Sequence, residues 1–271
     1  MPAGNIFLRR ALKKEHFIVF FFLILLIAIS WAYMFHLSNS AASMKEMPMV
    51  QVIKWSFGDF IAAFAMWSVM MVAMMLPSAM PMILVFFAVN RKRSESKKSF
   101  APTWIFVLGY VLVLTLFSLV ASLLQLVLHN LSAISDGLKL MNPFASAGVL
   151  IAAGIYQFTN AKDVCLKNCQ SPLSFVLNHW KEGKIGALLM GVKHGLYCIG
   201  CCWALMALLF VAGIMNLLWI TIIALFVFLE KMIKSRYLSR AAGILFILAG
   251  IWMTIVYPTA ISSKIQHLPK I

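Results

Sequence analysis

Apolar runs of membrane-span length, separated by short polar or basic connectors, decide what this chain can fold into. A helix needs about 20 predominantly apolar residues to cross a bilayer. Seven runs approach or exceed that length, near residues 17–35, 57–89, 102–128, 143–161, 185–212, 216–230 and 241–257. Within a bilayer every backbone N–H and C=O needs a partner in the protein, which a helix supplies from its own segment. The fold expected is therefore all-α: a polytopic transmembrane helix bundle of about seven helices. Composition agrees, because a chain that is 63% hydrophobic and 11% charged exceeds what a soluble core of 271 residues can hide. The partner of its surface is the lipid bilayer.

The formal charge of +15 fits basic connectors on one side of a membrane better than a nucleic-acid partner. With the N-terminus inside, the segments Arg9–Lys14, Arg91–Lys98, Lys162–Lys184 and Lys231–Arg240 are cytoplasmic and hold 17 of the 23 Lys and Arg residues. Lys45, Lys54, Lys139, Lys264 and Lys270 fall outside, and Lys193 lies within a span. The positive-inside rule thus predicts a basic cytoplasmic N-terminus (1–16), one transmembrane domain (17–257) and a short external tail (258–271), N-in and C-out. Ser40, Ala41 and Ala42 would suit a cleaved signal peptide, but the first apolar run is longer than a usual signal core, so it is read as a span. A multi-pass protein of this kind belongs in a bacterial inner membrane. The chain shows no nucleotide-binding loop, no Ser-His-Asp arrangement and no soluble domain.

The chemistry concentrates in K-H-G-L-Y-C-I-G-C-C-W, from Lys193 to Trp203. On a helix His194 and Cys198 share a face one turn apart, and Cys201 and Cys202 continue the stripe. One imidazole and at least two thiols form a ligand set for soft ions such as Cu(I), or for Zn(II). Buried cysteines are common as plain packing. An imidazole, three thiols and Lys193 together in an apolar span are costly for packing alone.

Two further groups carry soft donors. In M-W-S-V-M-M-V-A-M-M-L-P-S-A-M-P, Met66, Met70 and Met74 are spaced by four, as are Met71 and Met75, giving two adjacent thioether stripes. Methionine is also an ordinary core filler, which is the competing reading of these stripes. Pro77 and Pro81 are expected to kink this helix, and Pro81 frees the carbonyl of Pro77. In K-D-V-C-L-K-N-C-Q-S-P, Cys165 and Cys169 share a face of a helix end and are expected at the cytoplasmic surface. With Ile185 near the inner boundary, His194 lies roughly 13 Å along its helix and Cys201 roughly another 10 Å deeper. Gly213 to Asn216 is expected to form the tight turn before the sixth span.

A surface thiol pair, a buried His/Cys group and a thioether stripe together suit passage of a soft ion between exchangeable ligands. Cu(I) fits the whole set; Zn(II) fits the His/Cys part without the methionines. A membrane thiol-disulfide oxidoreductase is the alternative, with Cys198–Cys201 as its C-x-x-C, although Cys165 and Cys169 would then face the reducing cytoplasm. An accessory subunit whose cysteines only pack is the third reading.

The combination of M-W-S-V-M-M-V-A-M-M-L-P, C-L-K-N-C-Q-S-P and H-G-L-Y-C-I-G-C-C-W-A-L-M resembles the family of predicted metal-binding integral membrane proteins. The resemblance runs from about Trp55 to Lys231, including Gly213, Met215, Asn216, Trp219 and Glu230, and is most specific at H-x-x-x-C-x-x-C-C-W. At Gln170 this chain has an amide where arginine is common in the family. The resemblance implies a membrane copper chaperone or transport role, not an enzyme, since some members are linked to copper delivery to copper oxidases such as tyrosinases. A copper-dependent oxidase or a soluble metallochaperone is the implied protein partner. The candidate metal ligands are His194, Cys198, Cys201, Cys202, Cys165, Cys169, Met70, Met71, Met74 and Met75.

Overall fold

The apolar runs fold as α-helices that bury one face on each other and leave the opposite face to lipid. A computed structural model describes residues 19–39, 57–95, 101–131, 140–214, 216–233 and 235–266, the last segment with side chains as far as residue 256. Among these residues the chain forms nine helices: α1 (Val19–Asn39), α2 (Phe57–Glu95), α3 (Thr103–Asn130), α4 (Pro143–Tyr156), α5 (Asn160–Gln170), α6 (Pro172–Asn178), α7 (Gly183–Ala212), α8 (Leu217–Met232) and α9 (Arg236–Gln266). Helices α1, α2, α3, α7 and the Arg236–Val256 part of α9 are long and apolar enough to cross a membrane. The chain is a multi-pass, all-α bundle. The basic N-terminus (1–16), Ser40–Ala42, Lys45, Lys54, Lys97, Lys98, Lys139, Met215 and the side chains of the 258–271 tail lie outside the described residues.

Helix boundaries depart from the expected spans at polar punctuation. The fourth run was expected to 161, but α4 stops at Tyr156 after 14 residues. Gln157, Phe158 and Thr159 each donate to the carbonyl three residues back, and Thr159 Oγ1 then accepts from Lys162 N at 3.3 Å, starting α5 as an N-cap. The connector after 161 therefore holds two helices, α5 and α6. The turn before α8 is built by Gly213, with φ of 97°, and by Asn216, whose side chain accepts from Leu218 N. Only glycine adopts that φ without strain.

Helix α7 is the centre of the bundle, packing on α3, α4, α5 and α8. Its approach to α3 depends on missing side chains: a Cβ on Gly109 would meet the Leu188 carbonyl, and one on Gly191 would meet that of Phe106. Close backbone approach at small residues is how helices associate in lipid, where no hydrophobic drive separates helix from solvent. Helices α4 and α9 meet likewise, with a Cβ on Gly154 falling 2.8 Å from the Gly243 carbonyl. Helix α2 runs unbroken through Pro77 and Pro81. Pro77 offers no N–H to the Ala73 carbonyl, and Trp31 Nε1 of α1 donates to that oxygen at 3.2 Å instead. An indole from a neighbouring helix thus satisfies a backbone group that lipid could not.

Charge enters the core where it is paired. Lys162 of α5 is fully buried and donates to Glu230 Oε1 at 2.5 Å and to Gln157 Oε1. Ser239 Oγ of α9 donates to the same carboxylate oxygen at 2.5 Å, and Gln170 Nε2 donates to the Glu230 carbonyl at 2.8 Å. Five polar side chains on α5, α8, α9 and the α4–α5 turn thereby tie the ends of these helices together. This pairing lets α5 lie along α7 instead of remaining in solvent.

Candidate metal centre

Fifteen residues of α7 are buried, and the stripe His194, Cys198, Cys201 and Cys202 is among them. Lys193 points the other way and is exposed. Helical spacing explains this division: residues at i, i+4 and i+8 face the bundle while i−1 turns outward.

The thioether that meets these thiols belongs to Met75 of α2. Its Sδ stands 3.6 Å from Cys202 Sγ and 3.9 Å from Cys198 Sγ, deep in the core. Cys201 Sγ and Cys202 Sγ each also donate to the Cys198 carbonyl, at 3.1 and 2.9 Å. Met66, Met70, Met71 and Met74 are buried on the same side of α2 and pack in the apolar cluster. The expected two stripes are thus one buried face, of which Met75 presents its sulfur to cysteine.

His194 is 2% exposed and lies in an aromatic enclosure. Its ring stacks on Tyr110 with centroids 5.4 Å apart and on Phe106 at 6.2 Å, while Phe175 of α6 meets it edge-on at 5.6 Å. Among the described residues neither Nδ1 nor Nε2 has a hydrogen-bond partner. A buried imidazole without partners carries a real desolvation cost, which ligation of an ion through one nitrogen would offset. Tyr110 connects the two halves of the site, since its hydroxyl donates to the Met75 carbonyl at 3.2 Å and lies 3.2 Å from Cys198 Sγ.

Cys165 and Cys169 do not sit apart at a surface, as the sequence had suggested. Because α5 folds along α7, Cys169 is buried beside Cys201, and a Cβ on Gly200 would fall 2.7 Å from Cys165 Sγ. Cys165 is half-buried and burial pushes its thiol pKa up; the neighbouring Cys201 thiol and then burial do the same for Cys169. All five cysteines are free thiols. Sulfur therefore continues from Met75, Cys198 and Cys202 through Cys201 and Cys169 to Cys165. Among the described residues no three His, Cys, Asp or Glu side chains converge as a preformed metal cage. The convergent group is two thiols and a thioether.

Several residues of this centre were not singled out from the sequence. Lys231 of α8 is 4% exposed and its Nζ donates to Cys198 Sγ at 3.0 Å, to Ser78 Oγ at 3.0 Å and to Met75 Sδ at 3.9 Å. Glu230 and Lys231 were expected at the end of the sixth run and within the family resemblance, but not in the metal site, whereas α8 continues to Met232 and buries both. Adjacent opposite charges inside an apolar run were the available signal. Ser78 and Tyr110 left no such signal.

Comparison with known proteins gives one result. A family model described as "PpoB2: Copper chaperone" matches residues 64–253, a stretch that contains the methionine face, all five cysteines, His194 and Lys231. No curated protein and no solved structure matches the chain.

Proposed function

The chain belongs to the PpoB2 copper chaperone family, and from that premise we propose that it binds Cu(I) inside the helix bundle and hands it to a copper enzyme. Copper handling by a chaperone is a non-enzymatic role. The ligands we assign to the cargo are Met75, Cys198 and Cys202, with His194 as the nitrogen donor at the neighbouring turn. Cys201, Cys169 and Cys165 form a route of exchangeable thiols leading away from it. The observation that carries the reading is the meeting of Met75 Sδ with the Cys198 and Cys202 thiols in the buried centre of the bundle. Thioether and thiolate together favour a soft monovalent ion, whereas a structural Zn(II) site would be closed by four nitrogen, thiolate or carboxylate donors. The orphaned His194 nitrogens support the same assignment.

In this reading Met70, Met71 and Met74 line the wall behind Met75. The donor of copper is a soluble metallochaperone or the membrane pool, and the recipient a copper-dependent oxidase. The protein sits in a bacterial inner membrane with its N-terminus in the cytoplasm and its tail outside.

Metal content per chain tests the assignment. Wild-type protein purified copper-replete under reducing conditions should retain Cu(I). His194→Ala and Cys198→Ser should both lose it while remaining monodisperse. Retention should also fall as pH falls, because thiol and imidazole must shed protons to bind. A wild-type protein that keeps neither copper nor zinc, yet cycles a Cys198–Cys201 disulfide, would overturn the reading in favour of thiol exchange.

A further inference from the structure

Lys231 is buried in the donor set itself. Its Nζ reaches three acceptors, Cys198 Sγ, Ser78 Oγ and Met75 Sδ. An ammonium has three N–H donors and no acceptor, so three acceptors around one nitrogen match its capacity. Two of the three, Cys198 and Met75, are sulfurs assigned above to Cu(I). We propose that Lys231 is a tethered stand-in for the copper ion: it occupies the sulfur cluster before loading, is displaced when Cu(I) enters, and returns to drive the ion out.

This rests on the proposed Cu(I) site and deepens it. Ammonium and Cu(I) each carry one positive charge, so their exchange replaces one cation by another, while each thiol that ligates copper releases its proton. Entry of Cu(I) with Lys231 still in place would set two cations within contact distance in a low-dielectric interior, where like charges repel strongly. Displacement has its own cost, since the ammonium gives up its three bonds. Both effects weaken the hold on copper, which is what delivery requires: a carrier must release what it binds. Ser78 belongs to the device because its hydroxyl, fixed by donating to the Met75 carbonyl at 2.8 Å, offers its oxygen to Lys231. Lys231 is thus a positioning and release residue, not a ligand.

The experiment measures transfer of Cu(I) from the full-length reduced protein in detergent to bathocuproine disulfonate, together with the equilibrium Kd. Lys231→Gln removes the charge and should slow release and lower Kd by about tenfold or more. Lys231→Arg keeps a cation on a larger planar group, and its release should be faster than that of Lys231→Gln. Ser78→Ala removes one acceptor without touching a sulfur, and should slow release by about threefold. Wild-type kinetics in Lys231→Gln, or weaker binding by it, would overturn the proposal. If that variant fails to fold, Ser78→Ala decides alone: slower release supports the stand-in, unchanged or faster release contradicts it. Cys198→Ser in parallel separates the two claims, since undiminished copper binding there removes the site reading itself.

Discussion

Met75 and Met70 are one helical turn and a residue apart on α2, and both are buried, but Met75 sets its sulfur against two thiols. Leucine conserves methionine's volume while removing the soft donor. Met75→Leu should therefore reduce Cu(I) retention by about tenfold, the order expected for one lost soft ligand, whereas Met66→Leu and Met70→Leu leave it nearly unchanged; metal content at limiting Cu(I) distinguishes them. Lys162 gives a contrasting prediction. Removing it strands the Glu230 carboxylate, and Lys162→Met should lower stability by about 3–5 kcal/mol. Thermal unfolding in detergent reads that loss. Part of the centre was legible in the residues alone: helical spacing places His194, Cys198 and Cys202 on one face of α7. Met75 was legible as one of five stripe methionines but not as the one that meets sulfur, because that depends on how α2 rotates against α7. Lys231 and Tyr110 join from two further helices and Ser78 from α2 itself, and no local spacing announces such a meeting.

At the scale of elements, the long apolar runs declared themselves by length, while the short helices did not. Helix α5 carries polar residues at helical spacing and reads as a connector, because its burial goes with the pairing of Lys162 and Glu230, while the short α6 buries only Phe175 and Val176. The same pairing explains why Cys169 lies beside Cys201 instead of at a surface. Contact between helices is set by small residues, and here the structure gives a paired prediction. A Cβ on Gly154 would fall 2.6 Å from Ile247 Cγ1 and 2.8 Å from a backbone oxygen of α9, while one on Gly148 of the same helix meets nothing within 4 Å. Gly154→Ala should therefore separate α4 from α9 and lower the folded yield. Gly148→Ala should be neutral or stabilising by up to about 1 kcal/mol, because alanine costs less entropy in a helix. Fluorescence-detected size exclusion of the two variants compares them directly.

For the whole molecule, the charge distribution predicts sides and the sulfur centre predicts cargo. Reporter fusions should place the connector between α8 and α9 in the cytoplasm and the tail after residue 257 outside. A cytoplasmic tail would mean that α4 with α5, or α8, fails to complete a crossing. Neither α4, with 14 residues, nor α8, with 16, spans a bilayer comfortably at 1.5 Å per residue without local thinning or interfacial ends. The bundle is arranged so that α2, α3, α7 and α8 converge on one buried point, where Met75, Tyr110, Cys198, Cys202 and Lys231 meet. X-ray absorption at the copper edge of the reduced, copper-loaded protein tests that arrangement most directly. The account predicts a Cu(I) edge with scattering from sulfur and a nitrogen contribution, the sulfur count dropping in Met75→Leu and the nitrogen contribution vanishing in His194→Ala. A copper spectrum unchanged by Met75→Leu, Cys198→Ser and His194→Ala alike would contradict it, placing the metal elsewhere in the molecule.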